Sequence, residues 1–201
     1  MEIKLSKGNK KLSKDIVIFS LPAANPRICK WKTKVCAKIC YAVKPQRYNK
    51  HTVAARKSNY AASKKDGFVN AAVQALTDSK KKLCRIHEAG EFYSQEYLEK
   101  WFAIAKALPK MTFLVYTKAY SLDFRGKPDN LKVYASVDDS SPKEIYEFAA
   151  RYGFPTAKIV LRSGKDAGTA VNSCVTGGLA RHYCGDKCKI CWKMRKNVYF
   201  K

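Results

Sequence analysis

Residues 94–117, which read SQEYLEKWFAIAKALPKMTFLVYT, decide the fold class because they place a helix directly before a strand. Ser94 can cap a helix over residues 95–108, whose apolar residues recur at helical spacing until Pro109 ends it. Residues 111–117 are rich in Thr, Phe, Val and Tyr, a composition typical of a strand. A helix that leads directly into a strand is part of a parallel β-α unit.

The same alternation extends on both sides of this unit. The patterns predict strands over 15–21, 83–87, 131–137 and 157–162, a helix over 51–79 that is bent near Asp66-Gly67, and a helix that ends at Gly153. We interpret Ser141-Pro142-Lys143-Glu144 as a capping box that opens the last helix. Residues 23–50 are expected to form a loop. Residues 118–130 barely leave room for a crossover helix, and the tail from Ser163 has no clear periodicity.

About five strands that alternate with helices predict an α/β fold with a single domain over residues 1–201. An eight-fold TIM barrel usually needs about 250 residues. We therefore expect a partial or distorted parallel β/α barrel-like domain, with a small open α/β sheet as the alternative. Residues 1–50 would supply a basic strand and a cysteine loop, residues 51–162 the helix and β/α units, and residues 163–201 a cysteine-rich tail.

The charge of the chain is strongly basic and unevenly distributed. Its 40 Lys and Arg residues outnumber 16 Asp and Glu residues. Residues 1–86 carry 21 basic and 4 acidic residues, whereas residues 87–163 carry 11 and 10 and are nearly neutral. Lysines that served only solubility would not spare the middle of the chain. We expect a basic face that binds nucleic acid or another polyanion, and we expect no membrane span, because no apolar run approaches about 20 residues.

Eight cysteines are a high number for 201 residues, and their spacing indicates metal ligands. The apolar run 16–21 is too short for a signal peptide and ends at Pro22, so we expect a cytoplasmic protein with reduced thiols. Cys84 lies inside a predicted strand and is expected to be a buried apolar residue. The seven remaining cysteines are the candidate ligands of zinc or of one or two [4Fe–4S] clusters: Cys29, Cys36, Cys40, Cys174, Cys184, Cys188 and Cys191.

Polar residues follow the predicted strands and indicate a second candidate site. The carboxyl ends of parallel strands are where α/β folds gather their functional groups. The candidates for a polar cleft are His87, Glu88, Glu91, Lys118, Asp138 and Arg162. His87 or Glu88 could transfer protons, and Lys118 could hold an anionic substrate group. The alternative is that these are loop and capping residues.

Several segments together resemble a family of small phage proteins named after gene product eighty-eight. They are Lys7–Leu12, Phe19–Pro22, Cys36-x3-Cys40-Tyr41-Ala42, Arg85–Phe92, Tyr116–Lys118 and Cys184–Trp192. This chain has Glu88-Ala89-Gly90-Glu91 where that family usually has Asp-Ser-Gly-Asp. The resemblance implies a barrel-like α/β fold, cysteine-bound iron–sulfur and, for a phage-encoded chain, the cytoplasm of the host cell. A second phage family is similar at Cys40-Tyr41-Ala42 and is thought to be radical-SAM-like.

Three hypotheses for function remain open at this point. The first is an iron–sulfur protein that acts on or binds nucleic acid. Aromatic residues among the basic ones could stack on bases, with core packing as the alternative, and they are Trp31, Tyr41, Tyr48, Tyr60 and Trp192. The second is a non-enzymatic binding module whose loops are held by zinc or a cluster and whose partner is nucleic acid or a host protein. The third is a radical-SAM enzyme that binds S-adenosylmethionine, although the chain has no glycine-rich fingerprint. Substrate, enzymatic activity and oligomeric state are left open.

Overall fold

A seven-stranded, mostly parallel sheet organises the chain, and a computed structural model describes residues 1–8, 12–159, 191–193 and 197–200. The strands are β1 (Ser6–Lys7), β2 (Ile16–Phe19), β3 (Leu83–Ile86), β4 (Thr112–Thr117), β5 (Leu131–Val137), β6 (Thr156–Ile159) and β7 (Val198–Phe200). The helices are α1 (Lys34–Ile39), α2 (Val43–Tyr48), α3 (Lys50–Ser63), α4 (Phe68–Asp78), α5 (Gln95–Ala107) and α6 (Lys143–Tyr152). A 3-10 turn covers Cys191–Lys193.

The order of the strands in the sheet follows their order in the chain. Strand β1 pairs antiparallel with β2, and every following pair from β2 to β7 is parallel. Because parallel crossovers are right-handed, sequential order places the connecting helices on one face of the sheet. The predicted α/β class is confirmed. Within the described residues β1 and β7 form the two edges of the sheet, so a closed barrel is not seen there.

The alternation of side chains along each strand separates two buried layers. In β2, Val17 and Phe19 belong to the large core beneath helices α3 to α6, which we call the helix face. Ile16 and Ile18 point the other way and pack in a second cluster with Trp192. Both faces of the parallel strands are therefore buried, as expected for an α/β sheet.

Local sequence signals explain most of the helix boundaries. The Ser94 hydroxyl accepts a hydrogen bond from the Tyr97 amide at 3.3 Å and caps α5 as predicted. The predicted helix over 51–79 is confirmed as α3 and α4, which are separated between residues 63 and 68. Gly153 ends α6 in the left-handed conformation, with φ +63°. No helix among the described residues is long and apolar enough to cross a membrane.

Several predicted helices, strands and caps differ from those in the structure. The predicted loop 23–50 contains the short helices α1 and α2. The predicted capping box at 141–144 is wrong, because Pro142 is the N-cap and the Ser141 hydroxyl accepts from the Asp138 amide at 2.8 Å instead. The strands β1 and β7 were not predicted. The strand predicted over 157–162 is seen as β6, and its residues after 159 lie outside the described chain.

The connection between β4 and β5 has no helix, as its length and its Gly and Pro residues predicted. Phe124 lies in this connection, and its side chain, which is 2% exposed, packs into the core on the helix face. Its ring packs against Phe148 of α6 at 5.3 Å and against Phe154 at 5.6 Å between centroids. An aromatic cluster thus covers the part of the helix face that no crossover helix reaches.

Gly90→Ala should destabilise the protein more than Gly153→Ala, although both glycines have positive φ. A Cβ at Gly90 would lie 2.5 Å from the Leu21 Cβ, whereas at Gly153 nothing lies within 4 Å. We expect a loss of about 1 kcal/mol for Gly153→Ala from the backbone alone and about 3 kcal/mol for Gly90→Ala. Urea unfolding of both variants measures the difference. Equal losses would show that the contact with Leu21 is not tight.

Candidate functional site

A buried ion pair lies where the carboxyl ends of β4 and β5 meet. Lys118 follows β4, and its Nζ donates to Asp138 Oδ2 and to the Ser136 carbonyl, both at 2.8 Å. Lys118 is 5% exposed and Asp138 is 1% exposed. Burial raises the pKa of the Asp138 carboxyl, but the hydrogen bonds from Lys118 and Thr33 outweigh it, and the net pKa is lowered. The Asp138 carboxyl is therefore charged at neutral pH.

The segment from Cys29 to Cys40, which we call the cysteine loop, is hydrogen-bonded to this ion pair. The Thr33 hydroxyl donates to Asp138 Oδ2 at 2.6 Å. Thr33 is also the N-cap of α1, because its hydroxyl oxygen accepts a hydrogen bond from the Cys36 amide at 3.0 Å. The Val35 amide donates to the Ser140 hydroxyl at 3.1 Å. These bonds place the cysteine loop against the residues that follow β5.

Glu91, which lies in the connection between β3 and α5, fixes the end of β4. Its carboxylate accepts hydrogen bonds from the Thr117 hydroxyl at 2.7 Å, the Lys118 amide at 2.7 Å and the Phe92 amide at 2.8 Å. Burial raises the pKa of Glu91, and these three bonds oppose that rise in part. Because both oxygens are used in holding the backbone, Glu91 is a positioning residue for Lys118. We call Thr33, Glu91, Lys118 and Asp138 the strand-end cluster.

The three cysteines of the loop, Cys29, Cys36 and Cys40, are half-buried free thiols. Burial raises the pKa of Cys29 to about 12, with a further rise from the negative charge of Glu91 and from Cys36 and Cys40. Burial also raises the pKa of Cys36 to about 11, although the Lys118 ammonium opposes it. The thiols of Cys29 and Cys36 are therefore protonated in the metal-free protein. Among the described residues, no three His, Cys, Asp or Glu side chains are already arranged to hold a metal ion.

The other five cysteines are Cys84, Cys174, Cys184, Cys188 and Cys191, and the structure describes Cys84 and Cys191. Cys174, Cys184 and Cys188 lie outside the described residues, as does Arg162. Cys191 is 4% exposed and packs with Trp192 in the second cluster, whereas Cys29 packs against the helix-face core. Cys84 is fully buried in β3, which confirms that it is a core residue.

His87 and Glu88 are not part of the strand-end cluster. His87 has φ +61° and is 4% exposed, and its ring packs on Phe92 with 4.8 Å between centroids. Its Nε2 is 2.9 Å from the Tyr97 hydroxyl. Burial lowers the pKa of His87 to about 3, with a smaller effect of Arg85. Glu88 is half-buried, and its carbonyl accepts from the Tyr41 hydroxyl at 2.6 Å. A neutral histidine among aromatic rings favours a structural role for His87.

The contacts of Thr33, Ser140 and Tyr41 at the site were not predicted from the sequence. The available signal was Thr33 directly before Lys34–Ile39, since Thr is a preferred N-cap residue. The hydrogen bond that matters joins residues 105 positions apart, and no local pattern indicates it.

Fold and site together define an α/β protein whose reduced cysteine loop lies over the carboxyl ends of parallel strands. The model of the family Gene product 88 matches residues 3–194, so the chain belongs to that family. This confirms the family resemblance, while the iron–sulfur character implied by it stays a prediction.

Two phage proteins are similar to this chain. The Gene 88 protein of Mycobacterium phage L5 is 27% identical over 212 residues, which cover 90% of this chain and 85% of the relative. The Gene 88 protein of Mycobacterium phage D29 is 28% identical over 135 residues, which cover 60% of this chain and 56% of the relative. No solved structure matches the chain.

Lys118→Met should be strongly destabilising, because it leaves the buried Asp138 carboxylate without its cation. We expect a loss of about 3–5 kcal/mol in the free energy of unfolding. The double variant Lys118→Met/Asp138→Asn should lose less than the sum of its single changes. As a control, Lys143→Met breaks an exposed pair with Glu147 and should cost about 0.5 kcal/mol or less. Urea unfolding measures all four, and strictly additive losses would contradict the buried pair.

Stability should fall on acidification through His87. Its pKa is lowered from 6.5 to about 3 on folding, so below pH 6.5 only the unfolded chain takes up this proton. The stabilisation is fully present above pH 6.5 and is lost as the pH falls towards about 3. His87→Asn tolerates the positive φ and removes this titration. Urea unfolding at pH 7 and pH 5 (about 1.4 kcal/mol per unit at most) should show a smaller loss for the variant than for the parent. The same loss in both proteins would contradict this role.

Proposed function

We propose that this chain is a cysteine-ligated iron–sulfur protein that binds nucleic acid through its basic surface. The observation that carries the metal proposal is the position of Cys29, Cys36 and Cys40. They are half-buried free thiols on one loop, and hydrogen bonds from Thr33 and Val35 hold that loop against Asp138 and Ser140, beside the buried Lys118–Asp138 pair. A structural core cysteine such as Cys84 has none of these charged neighbours.

The chemistry of the donors fits the proposed metal. Thiolates are the ligands that iron–sulfur clusters and zinc prefer. Each thiol must lose its proton when it binds, and the Lys118 ammonium favours the deprotonated form of Cys36. Since the described residues do not by themselves enclose a metal, we propose that Cys174, Cys184 and Cys188 supply the remaining ligands of this cluster, or that they form a second one with Cys191, which packs on the other face of the sheet.

The residues of the chain have separate tasks under this proposal. Thr33 and Asp138 hold the cysteine loop over the strand ends. Glu91 orients Lys118, whose charge offsets the negative charge that thiolate ligands bring. A bound cluster would supply electron transfer, or an open iron if only three cysteines bind it.

A zinc-held binding module is the second candidate function. It is supported by the hydrogen bonds of Thr33, Val35 and Tyr41, which already fix the loop to the sheet without any reaction being needed. A metal there would add stability rather than chemistry. A radical-SAM enzyme in a partial barrel is a third proposal, supported by the sequential order of β2 to β7 and by a site at their carboxyl ends.

The nucleic-acid proposal is supported by where the N-terminal lysines and arginines lie. Helix α1 within the cysteine loop, and helices α2 and α3 that follow it, carry exposed basic side chains. They are Lys34, Lys38, Lys44, Arg47, Lys50 and Lys57. No acidic residue occurs between Asp15 and Asp66, so the basic side chains of this segment meet no carboxylate from within it. Phosphate groups are the ligands that such a surface attracts.

Anaerobic purification followed by iron, sulfide and zinc analysis tests the metal proposal. We expect a brown protein with about four irons per cluster. Cys36→Ser should lower the iron content, whereas Cys84→Ala, which removes a thiol from the core, should leave it unchanged. A colourless protein with zinc and no iron would support the second candidate. A protein without any metal, or equal metal loss in both variants, would overturn metal binding by the cysteine loop.

A further inference from the structure

An open groove lies between the segment that follows β2 and one face of α3. Its volume is about 620 Å³. One wall is formed by Ala23 and Asn25 with Gln46 of α2, and the other by Lys57, Tyr60 and Lys64 of α3. The groove is separate from the strand-end cluster, since none of Thr33, Glu91, Lys118 and Asp138 lines it.

The first wall is held in place by Gln46. Its Oε1 accepts from the Ala23 amide at 2.8 Å, and its Nε2 donates to the Ala23 carbonyl at 3.3 Å. Arg56 donates to the carbonyl of Ala42 at 2.8 Å, which ties the start of α2 to α3. The two walls of the groove are therefore fixed relative to each other before any ligand binds.

The second wall presents an aromatic ring between two lysines. Lys57, Tyr60 and Lys64 are separated by three and four positions, so they lie on one face of α3. The lysines are exposed, and seven residues of helix separate them by about 10 Å. Two flexible lysine side chains that start this far apart on the helix can contact different phosphates of one strand.

The ring of Tyr60 is held edge-on by Tyr93, with 5.2 Å between centroids and 87° between planes. The Lys64 ammonium lies over the face of the Tyr60 ring, 4.1 Å from its centroid. A nucleobase has a π-face that can take the place of the ammonium on such a ring, and this releases the lysine to a phosphate. No Asp or Glu is among the described residues that line the groove. The groove thus combines positive charge, a fixed ring and amide groups.

We propose that this groove binds single-stranded nucleic acid, with a base on Tyr60 and phosphates on Lys57 and Lys64. The proposal rests on the proposed nucleic-acid binding and names its site. It does not depend on the metal. A strand fits this groove better than a duplex, because stacking on Tyr60 requires an unpaired base.

Fluorescence anisotropy with a labelled oligodeoxythymidine, and with a duplex of the same length, tests the site. The main variant is Lys57→Glu/Lys64→Glu. The matched control is Lys106→Glu/Lys110→Glu, which makes the same charge change at exposed lysines that do not line the groove. We expect the groove variant to bind the single strand about tenfold more weakly or worse and with a smaller salt dependence, and the control to bind nearly as the parent does.

Tyr60 provides a second test that does not depend on charge. Tyr60→Ala should weaken single-strand binding about five- to hundredfold, whereas Tyr60→Phe keeps the ring and should bind like the parent. Circular dichroism and urea unfolding identify any variant that fails to fold, and in that case the lysine variants decide.

The remaining outcomes overturn the proposal in distinguishable ways. Equal weakening in the groove and control variants, or none in the groove variant, would reject the groove and leave nucleic-acid binding in place. Binding of the duplex alone would reject the single strand as ligand. If the parent protein binds no oligonucleotide, the nucleic-acid proposal fails as well. The iron analysis of the same preparation still tests the metal proposal independently.

Discussion

The carboxylate of Asp138 is the group on which the strand-end region depends. It follows β5, accepts from Lys118 at the end of β4, and accepts from Thr33 in the cysteine loop. One buried negative charge thus joins two strands and a loop that are distant in sequence. A charge so deeply buried is stable only while its cation and hydrogen-bond donors stay in place. The position of the cysteine loop therefore depends on the integrity of the sheet.

The α/β class and most element boundaries followed from local patterns. Ser94, Pro109 and the apolar spacing of residues 95–108 defined α5, and Thr, Val and aromatic residues defined β4. Such signals depend on residues within a few positions of one another. The short helices α1 and α2 were missed because they have six residues each and little apolar periodicity. Strands β1 and β7 are held at the sheet edges by pairing with distant residues, which local patterns do not record.

The candidate site was predicted in part for the same reason. Parallel strands bring their carboxyl ends together, so Glu91, Lys118 and Asp138 could be grouped from sequence. Whether the side chain that follows a strand joins this cluster depends on the local backbone conformation, which the sequence pattern does not give. At His87 φ is positive, and the ring packs on Phe92 and lies within hydrogen-bond distance of the Tyr97 hydroxyl. The hydrogen bond between Thr33 and Asp138 joins residues 105 positions apart, and only the structure reveals it.

The sequential order of the strands also has a consequence for synthesis of the chain. Each parallel strand pairs with the strand made before it, so the sheet can grow in the order in which the ribosome releases it. The cysteine loop breaks this pattern, because its partner Asp138 is made 105 residues after Thr33. The hydrogen bond that holds Thr33 of the cysteine loop at the strand ends can therefore form only after β5 and Asp138 have been synthesised.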